Sequence, residues 1–555
     1  MVPPRPPLPP DDAWLLGRIP LGLGLVVEIG CGDGALGAWL ARRDPATRRI
    51  GTEADPGAAA RAAPHYAAIH VQPPEAGAPL PPGSADLVLL RGAPADPAAA
   101  IGAAAALLAP SGVLLVDLPN AEHWRLAERL LAGCATPTHP PSHAITREGL
   151  LQAVRAAGLV PLDVPPLPAA EAEQANAFAE RIKPALAAVG SDVAAWLRRA
   201  GPARWMLRAA HQAPPPLMLV AHVLKPVGGV NEVRIDMPLS AAASHPGIGL
   251  RVGQTPEIPP LPEGTPRILI LHRRLLDSPQ APGFVNHFRR QGCVVVQEFD
   301  DDPAHWPVIA GSNHFAFRGV HAVQTSTPRL EALFRAFNDE VATFPNTVAE
   351  LPERANFADP SRLTLFLGAM RREADTAPFL PVLNEVLAAA GDRLQVEVLF
   401  DRGAFEALRT PHKRFHPLLP YAAYRAVMAR CELAFLPLAD TPFNNCKSDL
   451  KYVEAGAHGL CCLASPVVYG ATIREGETGL LIRSPEELGA RLRALLTEPD
   501  RARAIGTAAR AWVRENRMVA SQVRPRLAWY RSLWARRAEL DAALLRRAPE
   551  LAAAG

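Results

Sequence analysis

Long apolar runs are missing from this 555-residue chain: stretches such as Leu217-Met218-Leu219-Val220-Ala221 are too short for a membrane span, which takes roughly 18–20 residues. A soluble protein is therefore expected. Cysteine is scarce, with seven residues, no C-x-x-C pair and an adjacent Cys461-Cys462. That gives no zinc spacing and suits a reducing cytosol rather than a disulfide framework. Net charge is only +3, so bulk electrostatics give no case for a nucleic-acid partner. Met1 to Pro10 is proline-rich without the apolar core of a secretion signal, and a disordered lead-in over 1–19 is expected. No repeat of fixed period is evident, which argues against a solenoid. What remains is globular in composition, 49% hydrophobic and 20% charged, and too long for a single core.

The most informative segment is Val26-Val27-Glu28-Ile29-Gly30-Cys31-Gly32-Asp33-Gly34. It reads as a buried strand ending near an acid and entering a glycine-rich turn before the helical run Ala35 to Arg42. Glycines there let the backbone turn sharply and approach a ligand at a helix N-terminus. Gly32-x-Gly34-x-x-Gly37 also fits a dinucleotide fingerprint. Glu28 separates the two readings: Glu-x-Gly-x-Gly-x-Gly resembles the first motif of class I S-adenosylmethionine-dependent methyltransferases. Further elements agree with that resemblance: Arg49 to Glu53 as a second strand, Pro79 to Leu90, Leu107 to Val116, and Thr146 to Leu159. The resemblance implies a Rossmann-like fold over 20–168 that binds S-adenosylmethionine through Glu28, Gly30, Gly32, Gly34 and Asp86. Glu53 would take the ribose hydroxyls, as acids at that point do in doubly wound folds. One departure stands out: the acid expected after the third strand is represented only by Glu75, slightly displaced.

Residues 169–265 read as a helical, then Pro/Gly-rich connecting region, with the main boundary near Thr265 and a strand entered from Gly228-Gly229. Beyond it, apolar strands alternate with helical stretches, from Arg267-Ile268-Leu269-Ile270-Leu271-His272 to Leu394 to Phe400, which predicts parallel sheets. Two Rossmann-like lobes, 266–355 and 356–545, suit a nucleotide-linked substrate.

The segment Leu433 to Ile482 carries a buried strand, then Cys446-Lys447-Ser448-Asp449-Leu450-Lys451-Tyr452-Val453-Glu454, and later Gly476-Glu477-Thr478-Gly479-Leu480-Leu481-Ile482. Together these resemble the C-terminal lobe of GT-B glycosyltransferases of the "glycosyl transferases group 1" kind. Ser448 is a fair N-cap for the following helix, whose free N–H groups would face a diphosphate, with Lys447 adding a full charge. The resemblance implies that Pro345-Asn346 closes the first lobe and Gly368 opens the second. Arg371 or Arg372 would touch the diphosphate, and Glu454, the final Glu of E-x7-E, would hold the ribose. Cys446 stands where the first Glu of that motif belongs, with Asn445, Lys447 or Asp449 as replacements.

Lys447 and Glu454, with His272 at the end of the first strand of that block, are the expected catalytic residues. Such folds need no metal for leaving-group departure, although Asp300-Asp301-Asp302 invites a metal reading; an acidic turn is the plainer one. The Arg-rich C-terminal helices would return to the first lobe through Trp529 and Tyr530, or rest on an anionic membrane. The expectation is thus an α/β enzyme, a methyltransferase fused to a glycosyltransferase, using a nucleotide sugar and a glycan or lipid-linked glycan acceptor. It would work in the cytoplasm or at the inner face of the membrane, on a surface polysaccharide. The alternatives are a glycosyltransferase with a methyltransferase-like scaffold and a non-catalytic ligand-binding assembly protein.

Overall fold

The computed structural model describes residues 15–133, 143–163, 169–224, 229–368 and 372–553. Two compact units divide at Pro215/Pro216, with Ala243–Gly247 returning to the first.

In the first unit, β1 (Leu25–Ile29), β2 (Arg48–Glu53), β3 (Ala68–Val71), β4 (Ala85–Arg91), β5 (Leu108–Pro119), β6 (Val160–Asp163) and β7 (Arg204–Ala210) form one sheet. Its order is β3-β2-β1-β4-β5-β7-β6, and β7 alone runs antiparallel to its neighbours. Helices cover both faces, so the central strands are apolar almost without interruption. Val88, Leu90, Leu114 and Val116 enter one core, while Leu87, Leu89, Val113 and Leu115 enter the other.

The second unit holds two parallel sheets. In the first lobe, β8 (Leu217–His222), β9 (Ile248–Gly253), β10 (Arg267–His272), β11 (Val294–Glu298), β12 (Ala322–Thr325) and β13 (Val341–Thr343) are ordered β13-β12-β11-β10-β8-β9. In the second lobe, β14 (Leu363–Gly368), β15 (Leu394–Leu399), β16 (Lys413–His416), β17 (Leu433–Leu436), β18 (Cys461–Ala464) and β19 (Leu480–Leu481) are ordered β16-β15-β14-β17-β18-β19. The order reverses between β8 and β10, and between β14 and β17. Carboxyl ends of strands at such reversals are where open α/β sheets bind ligands.

The stretch 169–265, expected as a connector with a boundary near Thr265, is instead divided between the units. Its strand β7 completes the first sheet because Trp205, Leu207 and Ala209 alternate into the core. Strands β8 and β9 join the first-lobe sheet although β9 lies in the Gly/Pro-rich part. The strand expected after Gly229 is a helical turn, Glu232–Asp236, continuing into the helix Met237–Ala243. The lead-in expected over 1–19 does not include Leu15 and Ile19, which are buried against the first unit's core; residues 1–14 lie outside the described ones.

The helix Ala520–Ala535 returns to the first lobe, where the Tyr530 hydroxyl donates to Gln324 Oε1 (2.8 Å) and Trp529 Nε1 donates to Glu340 Oε1 (3.1 Å). Arg526 is buried over the Phe344 ring and Arg536 pairs with Glu340, so part of this helical region's basic charge is used internally. No described helix is long and apolar enough to cross a membrane.

Candidate active sites

The first candidate site lies at the carboxyl end of β1. Gly30 and Gly34 have positive φ and no room for a side chain: a Cβ would come within 2.3 Å of the Arg91 carbonyl oxygen and 2.7 Å of Ala62 Cα. Gly32 also has positive φ, but its missing Cβ would meet nothing within 4 Å, so the loop faces open space there. Glu53 braces the loop, its Oε2 accepting from Gly32 N (2.8 Å) and its Oε1 from Asp55 N (3.0 Å). Beneath the loop Glu28 is 1% exposed, accepts from the Tyr66 hydroxyl and lies 3.6 Å from Arg91 Nη1. Burial pushes its carboxyl up to about 7, and Oε1 has no hydrogen-bond partner.

This charge pattern bears on the cofactor. Asp33 Oδ1 already accepts the first helical amide, Ala35 N (3.2 Å). A pyrophosphate at that helix end would therefore meet the carboxylates of Asp33 and Glu53. An anionic dinucleotide is disfavoured there, whereas a ligand with cationic groups is not.

Asp86 does not belong to this site. It sits at the amino end of β4, where its Oδ2 accepts from Gly24 N (2.7 Å) and Leu25 N (3.0 Å), while the glycine loop leaves the opposite end of β1. Its role is to fix the entry into β1. Glu75, the displaced acid after β3, has its Oε1 engaged by Asp96 N (2.8 Å).

The second candidate site is a cavity of about 270 Å³ at the carboxyl ends of β14 and β17. Gly368, Arg372, Lys447, Ser448 and Glu454, all anticipated from sequence, line it together; Arg371 lies outside the described residues. A Cβ on Gly368 would collide with the Phe366 ring at 2.3 Å. Arg372 Nη1 donates to Asp375 Oδ2 (3.1 Å) and to Asn444 Oδ1. Lys447 Nζ donates to Asp301 Oδ1 at 2.6 Å and stands 3.9 Å from the centre of the Phe443 ring. Burial draws its ammonium below the usual lysine range, against the pull of Asp301. Ser448 Oγ accepts from Asn346 Nδ2 (2.7 Å), which ties the residue expected to end the first lobe to this segment.

Glu454 is 2% exposed, and its Oε2 accepts from the Tyr424 hydroxyl (2.8 Å) and, more distantly, from Lys451 Nζ (3.4 Å). Lys451 also donates to the Tyr424 hydroxyl (2.9 Å). Burial, then the nearby Glu454, push the Tyr421 and Tyr424 hydroxyls up, so both stay protonated donors. Sequence reasoning passed over Tyr421, Tyr424 and Lys451. The available signal was spacing, since Lys451 lies three residues before Glu454 on one helix and so shares its side.

Two expectations change. Ser448 is not the cap: the helix is Leu450–His458, preceded by Asp449, whose carboxylate is taken by Arg517 Nη2 (2.7 Å) and the Thr472 hydroxyl (2.7 Å). His272 ends β10 but is 2% exposed and is not among the residues lining the cavity. Burial pushes it down to about 4, which leaves it a neutral, enclosed imidazole unsuited to direct catalysis. The acids Asp300, Asp301 and Asp302 are spent separately, on Arg273, on Lys447 and on Ala304 N, and among the described residues no group of acids, histidines and cysteines is arranged to hold a metal.

Cys446 is 1% exposed and belongs to the first lobe's apolar core, beside Leu330 and Phe334. Burial raises its thiol pKa. Restoring the family's glutamate should therefore fail: Cys446→Glu overfills this site and should lower stability by about 1–3 kcal/mol without raising transfer. Denaturation midpoints and initial rates of the variant check this; increased turnover would show that the residue reaches the donor.

Residues 17–164 match the protein family described as Methyltransferase domain, and residues 383–524 match the family described as Glycosyl transferase-like. No curated protein matches the chain. Among solved structures, a TarM variant of S. aureus with fondaparinux, alpha-GlcNAc-glycerol and UDP aligns at 11% identity, over 48% of this chain and 55% of that one, with a TM-score of 0.37. The chain thus spans about half the length of TarM. Anabaena HepE in complex with UDP-glucose aligns at 13% identity over 56% of this chain and 99% of that one, with a TM-score of 0.41. A candidate S-adenosylmethionine-dependent methyltransferase of Listeria monocytogenes aligns at 14% identity over 36% and 96%, with a TM-score of 0.26. The two family matches thus fall one on each of the two units just described, the methyltransferase domain on the first and the glycosyl transferase-like segment on the second.

Proposed function

We propose that the second unit transfers a sugar from a nucleotide donor and that the first methylates, with S-adenosylmethionine, a related acceptor. A surface polysaccharide or its lipid-linked precursor, reached by peripheral contact with a membrane, is the substrate class this reading favours. The observation that carries the transfer reading is the cavity at β14 and β17, where Arg372, Lys447 and Lys451 share one wall with Glu454. Cations there would stabilise the charge that grows on the diphosphate as the sugar leaves, and a preorganised site does so without reorganisation. Ser448 and the start of the Leu450–His458 helix would direct N–H dipoles to the same place. Glu454, held by Tyr424, would accept the ribose hydroxyls. No metal is needed for this step.

For the first unit, S-adenosylmethionine fits the acidic surround of Gly32, with Glu53 toward the ribose. When bound, the cofactor would supply an electrophilic methyl group; the chain's part is to orient it over the glycine loop. A second reading, a domain that binds without transferring, is favoured by the engagement of Glu75 with Asp96 N.

Ligand binding to the native state raises its stability, so thermal shifts with S-adenosylmethionine and a panel of sugar nucleotides test both halves. Each ligand should raise one transition, and EDTA should leave the donor shift and transfer intact. Glu53→Ala should weaken S-adenosylmethionine, and Glu454→Ala the donor, each by about 1.5–3 kcal/mol through loss of a charged acceptor. If both variants keep wild-type affinities, the two sites have been misplaced; binding of S-adenosylmethionine with no methyl transfer to any glycan would favour the scaffold reading.

A further inference from the structure

The cations of the donor cavity are each held by a carboxylate. Arg372 has Asp375 (3.1 Å), Lys451 has Glu454 (3.4 Å) and Lys447 has Asp301 (2.6 Å). A nucleoside diphosphate sugar would therefore enter a wall whose charges cancel, and could gain strong attraction only where a pair opens. Asp375 is not easily released, since its Oδ1 also accepts from Ala439 N (2.9 Å) and Asn444 Nδ2 (3.1 Å). Glu454 is fixed by Tyr424. Asp301 differs. It follows β11 in the first lobe, so its bond to Lys447 crosses between lobes, and Arg273 Nη2 stands 3.8 Å from its other oxygen, ready to receive it.

We propose that Asp301 is a donor-site residue: it holds the place at Lys447 that the donor's diphosphate takes in the complex, and the two exchange there. The proposal rests on the donor-site reading above. A competitor must replace a short, half-buried ion pair, and a diphosphate can do so while also reaching the helix amides beyond Ser448. A monophosphate offers less charge for the same displacement. Removing the charge of Asp301 should therefore help the diphosphate by the whole cost of displacement and help the monophosphate by no more than that.

Titration calorimetry on the full chain tests this with UDP, GDP and ADP, each against its own monophosphate. Wild type is compared with Asp301→Asn and with Asp302→Asn, whose parent side chain accepts from Ala304 N (2.9 Å) instead. The diphosphate that binds wild type should bind Asp301→Asn about tenfold tighter, its monophosphate should gain no more than that, and Asp302→Asn should behave as wild type. Wild-type affinity of the diphosphate in Asp301→Asn, or a gain confined to the monophosphate, overturns the role of Asp301 and leaves the donor site standing. If no nucleotide binds any of the three proteins, the donor-site reading falls, and the proposal with it.

Discussion

Arg234→Met should destabilise the second unit by about 3–5 kcal/mol, the cost of removing one partner from a buried ion pair. Arg234 is 2% exposed and grips the fully buried Glu298 through Nε (2.8 Å) and Nη2 (3.1 Å). Its Nη1 donates to the Phe344 carbonyl (2.7 Å) and to Asn346 Oδ1 (2.8 Å). Methionine fills much of the same volume but leaves the Glu298 carboxylate without its counter-charge inside the sheet. The damage should reach the donor cavity, because Asn346, oriented by Arg234, donates to Ser448. Chemical denaturation gives the stability loss, and nucleotide titration gives the effect on the site. Adding Glu298→Leu should recover much of the stability, since a matched apolar pair is often no worse than the ion pair. A single variant as stable as wild type would mean that Glu298 is neutral in the fold.

The architecture was largely legible because it is written in local patterns. The apolar runs of β4, β5, β10 and β14 announce strands buried on both faces, and the glycines after β1 announce a turn toward a ligand. Lys447 and Glu454 could be placed on one cavity because one lies just before and the other within a single short helix. Misreadings arose where the answer depended on direction or on distant chain. Asp86 lies on a correctly anticipated strand but at its amino end, away from where parallel sheets bind ligands. His272 lies at a carboxyl end, yet His222, Arg234, Arg273 and Asp300 crowd around it and shut it in. The pairing of Lys447 with Asp301 spans 146 residues, and no periodicity carries such information. Strand β9 was hidden by glycine and proline, which mark loops on average but also tolerate an edge strand.

Glu28 should make the first unit less stable as pH rises from about 5 to 8, the reverse of what a salt-bridged carboxylate does. Its pKa moves from the ordinary 4.5 to about 7 on folding, chiefly through burial, with Arg91 and the Tyr66 hydroxyl opposing and Glu53 adding slightly. Between those values the folded chain holds a proton that the unfolded chain has released. The stabilisation is therefore complete below about 4.5 and is lost as pH climbs through about 7. The shift corresponds to about 3 kcal/mol at 1.36 kcal/mol per pK unit, an upper figure for a group whose neighbours also titrate. Glu28→Gln is permanently neutral and can still accept from Tyr66, so its unfolding free energy should lack this slope and exceed that of wild type at pH 8. Subtracting the two pH profiles cancels the groups they share and isolates Glu28. A difference that stays flat from pH 5 to 8 would show that Arg91, at 3.6 Å, holds the carboxylate ionised throughout. A difference that opens upward with pH would place beneath the glycine loop a carboxylate poised near neutrality, whose negative charge a cationic ligand over Gly32 would favour.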